Sequence, residues 1–145
     1  MTMAPDHLNL VGGKWIGDGA RLDNISPSNT NDLVGRYAQG SLADVDAAVA
    51  SARNAMKDWS TNSPQVRADL LDAVGSRLLA ERSEIGRLLS REEGKTLAEG
   101  VGETVRAGQI FKFFAQEALR VEGDSIPSVR PGVDVEIRRE PVGIV

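Results

Sequence analysis

Cysteine is absent from this chain, and histidine occurs once, as His7. Without cysteine these residues hold no disulfide, no thiolate metal ligand and no thiol nucleophile. A single histidine close to a chain terminus is typically a solvated side chain, so neither a zinc centre nor a Ser-His-Asp triad is expected. The residue sets that perform thiol-based, zinc-based or triad-based catalysis are therefore excluded from this sequence.

Acidic residues slightly outnumber basic ones, and long apolar runs are missing. The chain has 17 Lys and Arg against 21 Asp and Glu, a net charge of -4. A surface of this sign repels phosphate backbones, so nucleic acid is not an expected partner. No apolar run approaches the roughly 20 residues of a membrane span, and the first ten residues lack the basic start and apolar core of a signal peptide. We therefore expect a cytoplasmic protein that does not bind membranes.

What the sequence does contain is enough for one ordinary domain, beginning with short strands. Its 145 residues are 41% hydrophobic, within the usual range for a single globular domain. Residues 9–16 predict two strands joined at Gly12 and Gly13, a glycine pair suited to a tight hairpin turn. Residues 24–30 have turn chemistry, and residues 33–38 predict a further strand.

Between residues 41 and 118 the apolar period lengthens to that of a helix, and four helices are predicted. Three glycines in the fourth helix, Gly100, Gly102 and Gly108, each cost roughly 1 kcal/mol relative to alanine. We expect them to allow close packing against a neighbouring helix. The helix boundaries are marked by capping and stop residues: Ser41 with Asp44, Ser63 before Pro64, Ser83, the stop at Gly94, and Thr96 with Glu99.

After Arg120 the period returns to two. Residues 133–138 alternate between apolar and charged side chains, which predicts a strand with one wet face. Residues 142–145 are continuously apolar around a glycine, a pattern typical of a strand entering a buried parallel sheet. Since a domain rarely ends on such a strand, we expect the sequence to be part of a longer protein.

Three motifs suggest ligand sites and fail on spacing or charge. Gly94-Lys95-Thr96 resembles the end of a phosphate-binding loop, but the glycine required five positions earlier is Leu89. Gly100 and Gly102 would open a dinucleotide fingerprint, but no strand leads into them. Four glutamates form an acidic cluster, which we expect to be a solvated or salt-bridged face neutralised by Lys95 and Arg106: Glu92, Glu93, Glu99 and Glu103.

Several stretches, taken in order, resemble the N-terminal part of aldehyde dehydrogenases. These are GGKW from Gly12, SPSNTNDLVGRYAQGSLADVDAAVASAR, SPQVRADLL, LLSREEGKTLAEGVGETVRAGQIFKFFAQEALR and RREPVGIV. Together they cover nearly everything from Leu8 to the end. The REEGKTLAEG and RAGQIFKFFA stretches are most similar to semialdehyde dehydrogenases, including enzymes that oxidise 2-oxoglutarate semialdehyde (2,5-dioxopentanoate) or succinate semialdehyde.

The resemblance implies an α/β fold of which this chain is an incomplete, N-terminal part: a β-hairpin, four helices, a β-ribbon and the first strand of a Rossmann-like sheet. Residues 1–7 would be a disordered N-terminus. Residues 8–121 would belong to the cofactor-binding domain, and residues 122–140 to the β-ribbon through which family members form homo-oligomers. Residues 141–145 would begin the sheet of the truncated core.

The family oxidises an aldehyde with a cysteine thiolate, an asparagine that stabilises the oxyanion, a glutamate base and NAD or NADP. The resemblance places all of these positions, and the cofactor contacts, outside this sequence. No residue of the chain is therefore assigned a catalytic, cofactor-binding or metal-binding role, and the chain alone is expected to be inactive. Some members bind a structural monovalent cation near the segment matching Ile25, Ser26 and Glu92, where they often have Asp in place of the glutamate.

Two readings without catalysis remain open. The chain could be a stand-alone helical module that pairs with another protein through the ribbon after Arg120, or a truncated relic without function. A reading frame that continues into the missing catalytic motifs would select the enzyme. A natural stop with a stable, monodisperse product would favour the module, and an insoluble product would favour the relic.

Overall fold

The computed structural model describes residues 5–145. Five short strands come first, four helices form the body, and a two-stranded ribbon follows a 3-10 turn at Ala118–Arg120. In chain order the elements are β1 (Asp6–His7), β2 (Asn9–Val11), β3 (Lys14–Ile16), β4 (Arg21–Ile25), β5 (Leu33–Ala38), α1 (Leu42–Thr61), α2 (Pro64–Ala80), α3 (Arg82–Glu93), α4 (Leu97–Glu117), β6 (Asp124–Pro127) and β7 (Asp134–Ile137).

The predicted hairpin is present, and a small sheet stands beside it. Strands β2 and β3 pair antiparallel, and both turn glycines have positive φ, 59° at Gly12 and 76° at Gly13, as a type I′ turn requires. Strand β5 lies at the centre of a three-stranded sheet in the order β1-β5-β4. Strand β4 was not predicted, because its residues, RLDNI, lack a clear alternation.

The N-terminal prediction is partly wrong. Residues 1–4 of the expected disordered segment lie outside the described residues. Within the rest of it, Asp6 and His7 form β1, parallel to β5, and the His7 ring stacks on Tyr37 with centroids 4.6 Å apart. Gly35 makes room for this ring, since a Cβ there would lie 3.0 Å from two imidazole atoms. The segment is ordered because it completes a sheet edge that local sequence does not reveal.

Side-chain caps mark the start of three helices, as predicted, whereas α3 begins at Arg82 without a side-chain cap rather than at Ser83. Ser41 and Asp44 form a capping box at α1, and Thr96 and Glu99 form another at α4. Ser63 caps α2, which starts at Pro64. Helix α3 ends at Gly94, whose φ of 75° is left-handed. No helix among residues 5–145 combines the length and hydropathy needed to cross a bilayer.

Close glycine contacts set the helix packing. A Cβ added to Gly86 in α3 would lie 2.6 Å from Val101 Cα in α4, and one on Gly75 in α2 would lie 2.9 Å from the Gly108 carbonyl oxygen. Gly100 would meet Ser90 and the Gly86 carbonyl, so the predicted role of Gly100 and Gly108 is confirmed. The same prediction is wrong for Gly102, where an added Cβ would meet nothing within 4 Å.

The apolar interior is small. Among the described residues only three hydrophobic side chains are buried: Val34, Ala68 and Ala115. Helix α1 has no buried residue although it carries an apolar stripe. Large hydrophobic side chains are exposed on every helix and on the ribbon, among them Val45, Val49, Trp59, Leu70, Leu88, Ile110, Phe113, Phe114, Leu119 and Ile126.

The ribbon forms, and the last residues do not pair. Strands β6 and β7 are antiparallel, with Ile126 opposite Val135, which confirms the strand predicted at residues 133–138. Residues 142–145 form no strand. A parallel strand needs a neighbour to accept its hydrogen bonds, and none of the sheets within residues 5–145 reaches this segment. Its place in a Rossmann-like sheet stays a prediction.

Candidate functional site

The end of α3 and the loop between β4 and β5 meet in a polar cluster that we call the α3 junction, formed by Asn24, Asp32, Tyr37, Arg91 and Glu92. The Asn24 side-chain amide donates to Glu92 Oε1 at 2.5 Å, and the Tyr37 hydroxyl lies 3.5 Å from the same oxygen. The capping glycine after α3 ends the helix here, so two consecutive side chains of its last turn meet the sheet.

A bidentate ion pair forms the second half of the α3 junction. Arg91 donates to both carboxylate oxygens of Asp32, Nε to Oδ2 at 2.9 Å and Nη2 to Oδ1 at 2.7 Å. These hydrogen bonds hold the pKa of Asp32 below its ordinary value of 3.8 and raise the pKa of Arg91. Paired N–H donors in a fixed fork match a carboxylate closely, so this contact fixes the loop on the helix.

The loop itself is a closed turn. The Ser26 N–H donates to the Asp32 carbonyl at 3.0 Å, and the Ser26 carbonyl accepts from Asn29 N–H at 3.2 Å. Ser26 is only 3% exposed. The Ser28 hydroxyl donates to the Gly94 carbonyl at 3.1 Å. The structure thus supplies a hydrogen-bond donor to the Ser26 carbonyl and to one carboxylate oxygen of Glu92, two of the residues implied in cation binding by the resemblance.

Two of the four glutamates of the acidic cluster, Glu93 and Glu103, form the predicted salt bridges, while Glu92 belongs to the α3 junction. Lys95 lies between Glu93 and Glu103, forming an ion pair with each, at 2.6 Å to Glu103 Oε1. Both contacts raise the pKa of Lys95, the Glu103 hydrogen bond most strongly. Glu99 is used as the α4 cap. Arg106, also expected to neutralise the cluster, makes no ion pair with any residue in the 5–145 range.

Neither glycine motif forms a phosphate cradle. Gly94-Lys95-Thr96 joins two helices, and the Lys95 ammonium is held by carboxylates. Gly100 lies inside α4 against α3. The predictions against nucleotide binding at these positions agree with this placement, because a phosphate loop needs a strand leading in and free backbone N–H groups.

Two open clefts flank the ribbon. One, of about 460 Å³, lies at its base beside Asp124 and Glu136. The other, of about 310 Å³, is lined by Trp59, Arg67 and Pro141, where Arg67 donates to the last carbonyls of α1. Neither lining includes a cysteine or histidine. Among residues 5–145 no group of three or more His, Cys, Asp or Glu side chains is placed to hold a metal ion.

Comparison with known proteins identifies the class to which this architecture belongs. The aldehyde dehydrogenase family pattern matches residues 15–145. Among solved structures, betaine aldehyde dehydrogenase from Staphylococcus aureus, determined with NAD+, superposes with a TM-score of 0.86 at 26% identity over 94% of this chain and 28% of that one. An aldehyde dehydrogenase from Brucella melitensis gives a TM-score of 0.80 at 31% identity, over 85% of this chain and 26% of that one. The chain belongs to the aldehyde dehydrogenase family.

Curated relatives include semialdehyde dehydrogenases. The alpha-ketoglutaric semialdehyde dehydrogenase of Bacillus subtilis is 35% identical over 150 aligned positions, covering 100% of this chain and 30% of the relative. Aldehyde dehydrogenase family 7 member A1 of Brassica napus is 33% identical, covering 94% of this chain and 28% of the relative. The succinate semialdehyde dehydrogenase of Acinetobacter baylyi is 30% identical, again over 94% and 28%. The chain therefore spans less than a third of the length of these relatives.

Proposed function

We propose that this chain is the N-terminal part of an NAD(P)-dependent aldehyde dehydrogenase that oxidises a semialdehyde, such as 2-oxoglutarate semialdehyde, to a carboxylate. The observation that carries the proposal is the family match over residues 15–145, made by a chain that covers only 26–30% of its relatives. The α/β fold, with four helices and small sheets, agrees with the corresponding part of those enzymes.

The choice of substrate rests on the named relatives. Two of them act on semialdehydes that also carry a carboxylate, derived from 2-oxoglutarate and from succinate. The stretches that resemble semialdehyde dehydrogenases lie in α3 and α4. The similarity to those enzymes is therefore in the helical part of the chain. NAD or NADP is proposed as the cofactor on family grounds, and residues 5–145 are proposed to supply scaffold rather than reacting groups.

The ribbon is proposed to join copies of the protein. Both of its strands are exposed along their whole length, and its alternate apolar side chains face outwards. An exposed strand edge invites pairing with another chain. We assign residues 8–121 to the cofactor-binding domain, residues 122–140 to the oligomerisation ribbon and residues 141–145 to the start of the core, in a cytoplasmic homo-oligomer. The outward-facing residues are Ile126, Val133, Val135 and Ile137.

The direct test is a reduction assay on the protein purified from its natural source. NAD+ and NADP+ are supplied separately with 2-oxoglutarate semialdehyde, succinate semialdehyde and betaine aldehyde, and reduced cofactor is followed by absorbance. The proposal expects turnover with the semialdehydes and loss of turnover after iodoacetamide, because the family's nucleophile is a thiolate. Turnover that survives complete thiol alkylation, or none with any aldehyde, would refute it.

A stand-alone interaction module is the second candidate, favoured by the exposed ribbon and by an α1 without buried residues. It predicts that the 145-residue chain is monodisperse and folded, and that it pairs through the ribbon. Sedimentation of the 145-residue chain and of an Ile126→Asp, Val135→Asp variant separates the two. A folded chain that loses only its self-association in the variant supports the module, and an aggregating chain in both forms supports the enzyme fragment.

A further inference from the structure

The α3 junction occupies the place where the family resemblance implies a structural monovalent cation. We infer that in this chain a hydrogen bond from Asn24 to Glu92, with the Asp32–Arg91 pair beside it, closes the junction in place of that cation. This inference rests on membership of the family and on the geometry of the junction, and does not depend on which aldehyde the protein oxidises.

One oxygen of the Glu92 carboxylate, Oε1, already has hydrogen-bond donors. This oxygen accepts from the Asn24 amide at 2.5 Å and faces the Tyr37 hydroxyl at 3.5 Å. A cation bound at Oε1 would have to share that oxygen with the Asn24 amide, because the hydrogen bond already uses one of its lone pairs. Glutamate is one methylene longer than the aspartate that often stands here in cation-binding members, so its carboxylate lies further from the α3 backbone.

Two further acceptors at and beside the α3 junction, the Asp32 carboxylate and the Ser26 carbonyl, also have donors. Asp32, the other carboxylate present, is bound at both oxygens by Arg91. The Ser26 carbonyl accepts from Asn29 N–H within the closed turn. A K+ site is built from several oxygens that face one point and replace the hydration shell of the ion. Here the donors are supplied by the chain, and the charge of Asp32 is neutralised by a guanidinium.

The consequence is a junction whose stability depends on Asn24 and does not depend on the identity of the salt. Hydrogen–deuterium exchange measures the stability of the junction locally, in peptides covering residues 24–37 and 82–97 of the natural protein. The protein is compared in NaCl, KCl and choline chloride at equal ionic strength. We expect the exchange rates of these peptides to agree within about twofold in the three salts. At equal ionic strength the three salts screen charges to the same extent, so a larger difference would have to come from a specific cation.

Two substitutions at Asn24 sharpen the test. Asn24→Ala removes a hydrogen bond to a charged acceptor, and exchange at the junction should rise about tenfold in all three salts. Asn24→Asp replaces the donor with a second carboxylate facing Glu92, which creates the acidic pair that a cation would relieve. In the Asn24→Asp variant, exchange at the junction should also rise in choline chloride, and it should be at least about threefold slower in NaCl or KCl than in choline chloride. Asn54→Ala and Asn54→Asp, on the exposed face of α1, are the matched controls and should leave the junction peptides unchanged.

The outcomes separate the two forms of the junction. Salt-independent wild-type exchange together with a cation-sensitive Asn24→Asp variant supports the hydrogen-bond closure. Wild-type protection that appears only in NaCl or KCl overturns it, because a bound cation would then be closing the junction. An Asn24→Ala variant that exchanges like wild type overturns it as well. Since the readout is local exchange, none of these results depends on catalytic turnover, so failure of the proposed activity stays distinguishable.

Discussion

At the scale of single residues, the Asp32–Arg91 pair ties the β4–β5 loop to the last turn of α3. The hydrogen bonds from Arg91 hold the pKa of Asp32 below 3.8, so the folded protein favours the charged carboxylate more than the unfolded chain does. A group of this kind stabilises the fold above its unfolded pKa, and the contribution is lost as the pH falls through the lower, folded-state pKa. The pair therefore stabilises the folded protein at neutral pH, and this stabilisation is lost in acid.

An acid titration of stability tests this pair. We expect the urea midpoint of the natural protein to fall below about pH 4, and Asp32→Asn to be less stable than wild type at pH 7 but to lose less on acidification. The matched control is Asp18→Asn, which removes an exposed carboxylate from the loop between β3 and β4. The urea midpoint of this variant should depend on pH as that of wild type does. If the urea midpoints of Asp32→Asn and wild type change with pH in the same way, Asp32 makes no such contribution.

Two helical glycines should respond in opposite directions to the same substitution. A Cβ on Gly86 would collide with the Val101 backbone at 2.6 Å, whereas one on Gly102 would meet nothing within 4 Å. Gly86→Ala should therefore lower the free energy of unfolding by about 1–3 kcal/mol. Gly102→Ala should raise it by about 0.5–1 kcal/mol, because alanine reduces the entropy of the unfolded chain. Denaturant unfolding of both variants measures the difference, and changes of the same sign would contradict this packing.

At the scale of secondary-structure elements, α1 differs from the other helices. It has no buried residue, while α4 buries Gly100, Thr104, Gly108 and Ala115 against its neighbours. Most helical stability in proteins comes from tertiary packing of an apolar face. The stability of α1 in this chain therefore rests on its capping box, on its contacts with the hairpin and on the hydrogen bonds that Arg67 donates to its last carbonyls.

Hydrogen exchange within the soluble fraction of the 145-residue chain should show this directly. We expect amides of α1 to exchange faster than those of α4 at the same pH, since local opening costs least where few contacts are broken. The Ser41→Ala variant, which removes the N-cap of α1, should speed α1 exchange further without changing α4. Equal protection of α1 and α4 in wild type would mean that α1 packs in solution against a surface not present in this structure.

The elements that could be predicted from sequence are those with local signals. The four helices follow from their period and from caps at Ser41 and Thr96, and the hairpin follows from its glycine pair. Strand β4 was missed because RLDNI lacks a clear alternation, and β1 was missed because its pairing with β5 joins residues distant in sequence. The α3 junction was missed for the same reason: Asn24 and Glu92 are 68 positions apart, and only the resemblance pointed to that part of the loop.

At the scale of the whole molecule, the described chain leaves much of its apolar surface uncovered. Only three hydrophobic side chains are buried among residues 5–145, whereas exposed apolar patches of more than a few hundred Å² are uncommon on soluble monomers. We expect the isolated 145-residue chain to bind the dye ANS, to aggregate and to lack a sharp cooperative melt. It should not turn over aldehydes, because it contains no cysteine. A sharp melt of a monodisperse monomer, or aldehyde turnover, would contradict these expectations.

The intact mass of the protein purified from its natural source tests the central proposal most directly. The 145 residues account for 15.5 kDa and for about 28% of the relatives they match. The proposal predicts a mass near 55 kDa, the value obtained when 15.5 kDa is scaled by that 28% share. A mass of 15.5 kDa would contradict the proposal that this chain works as part of an aldehyde dehydrogenase subunit.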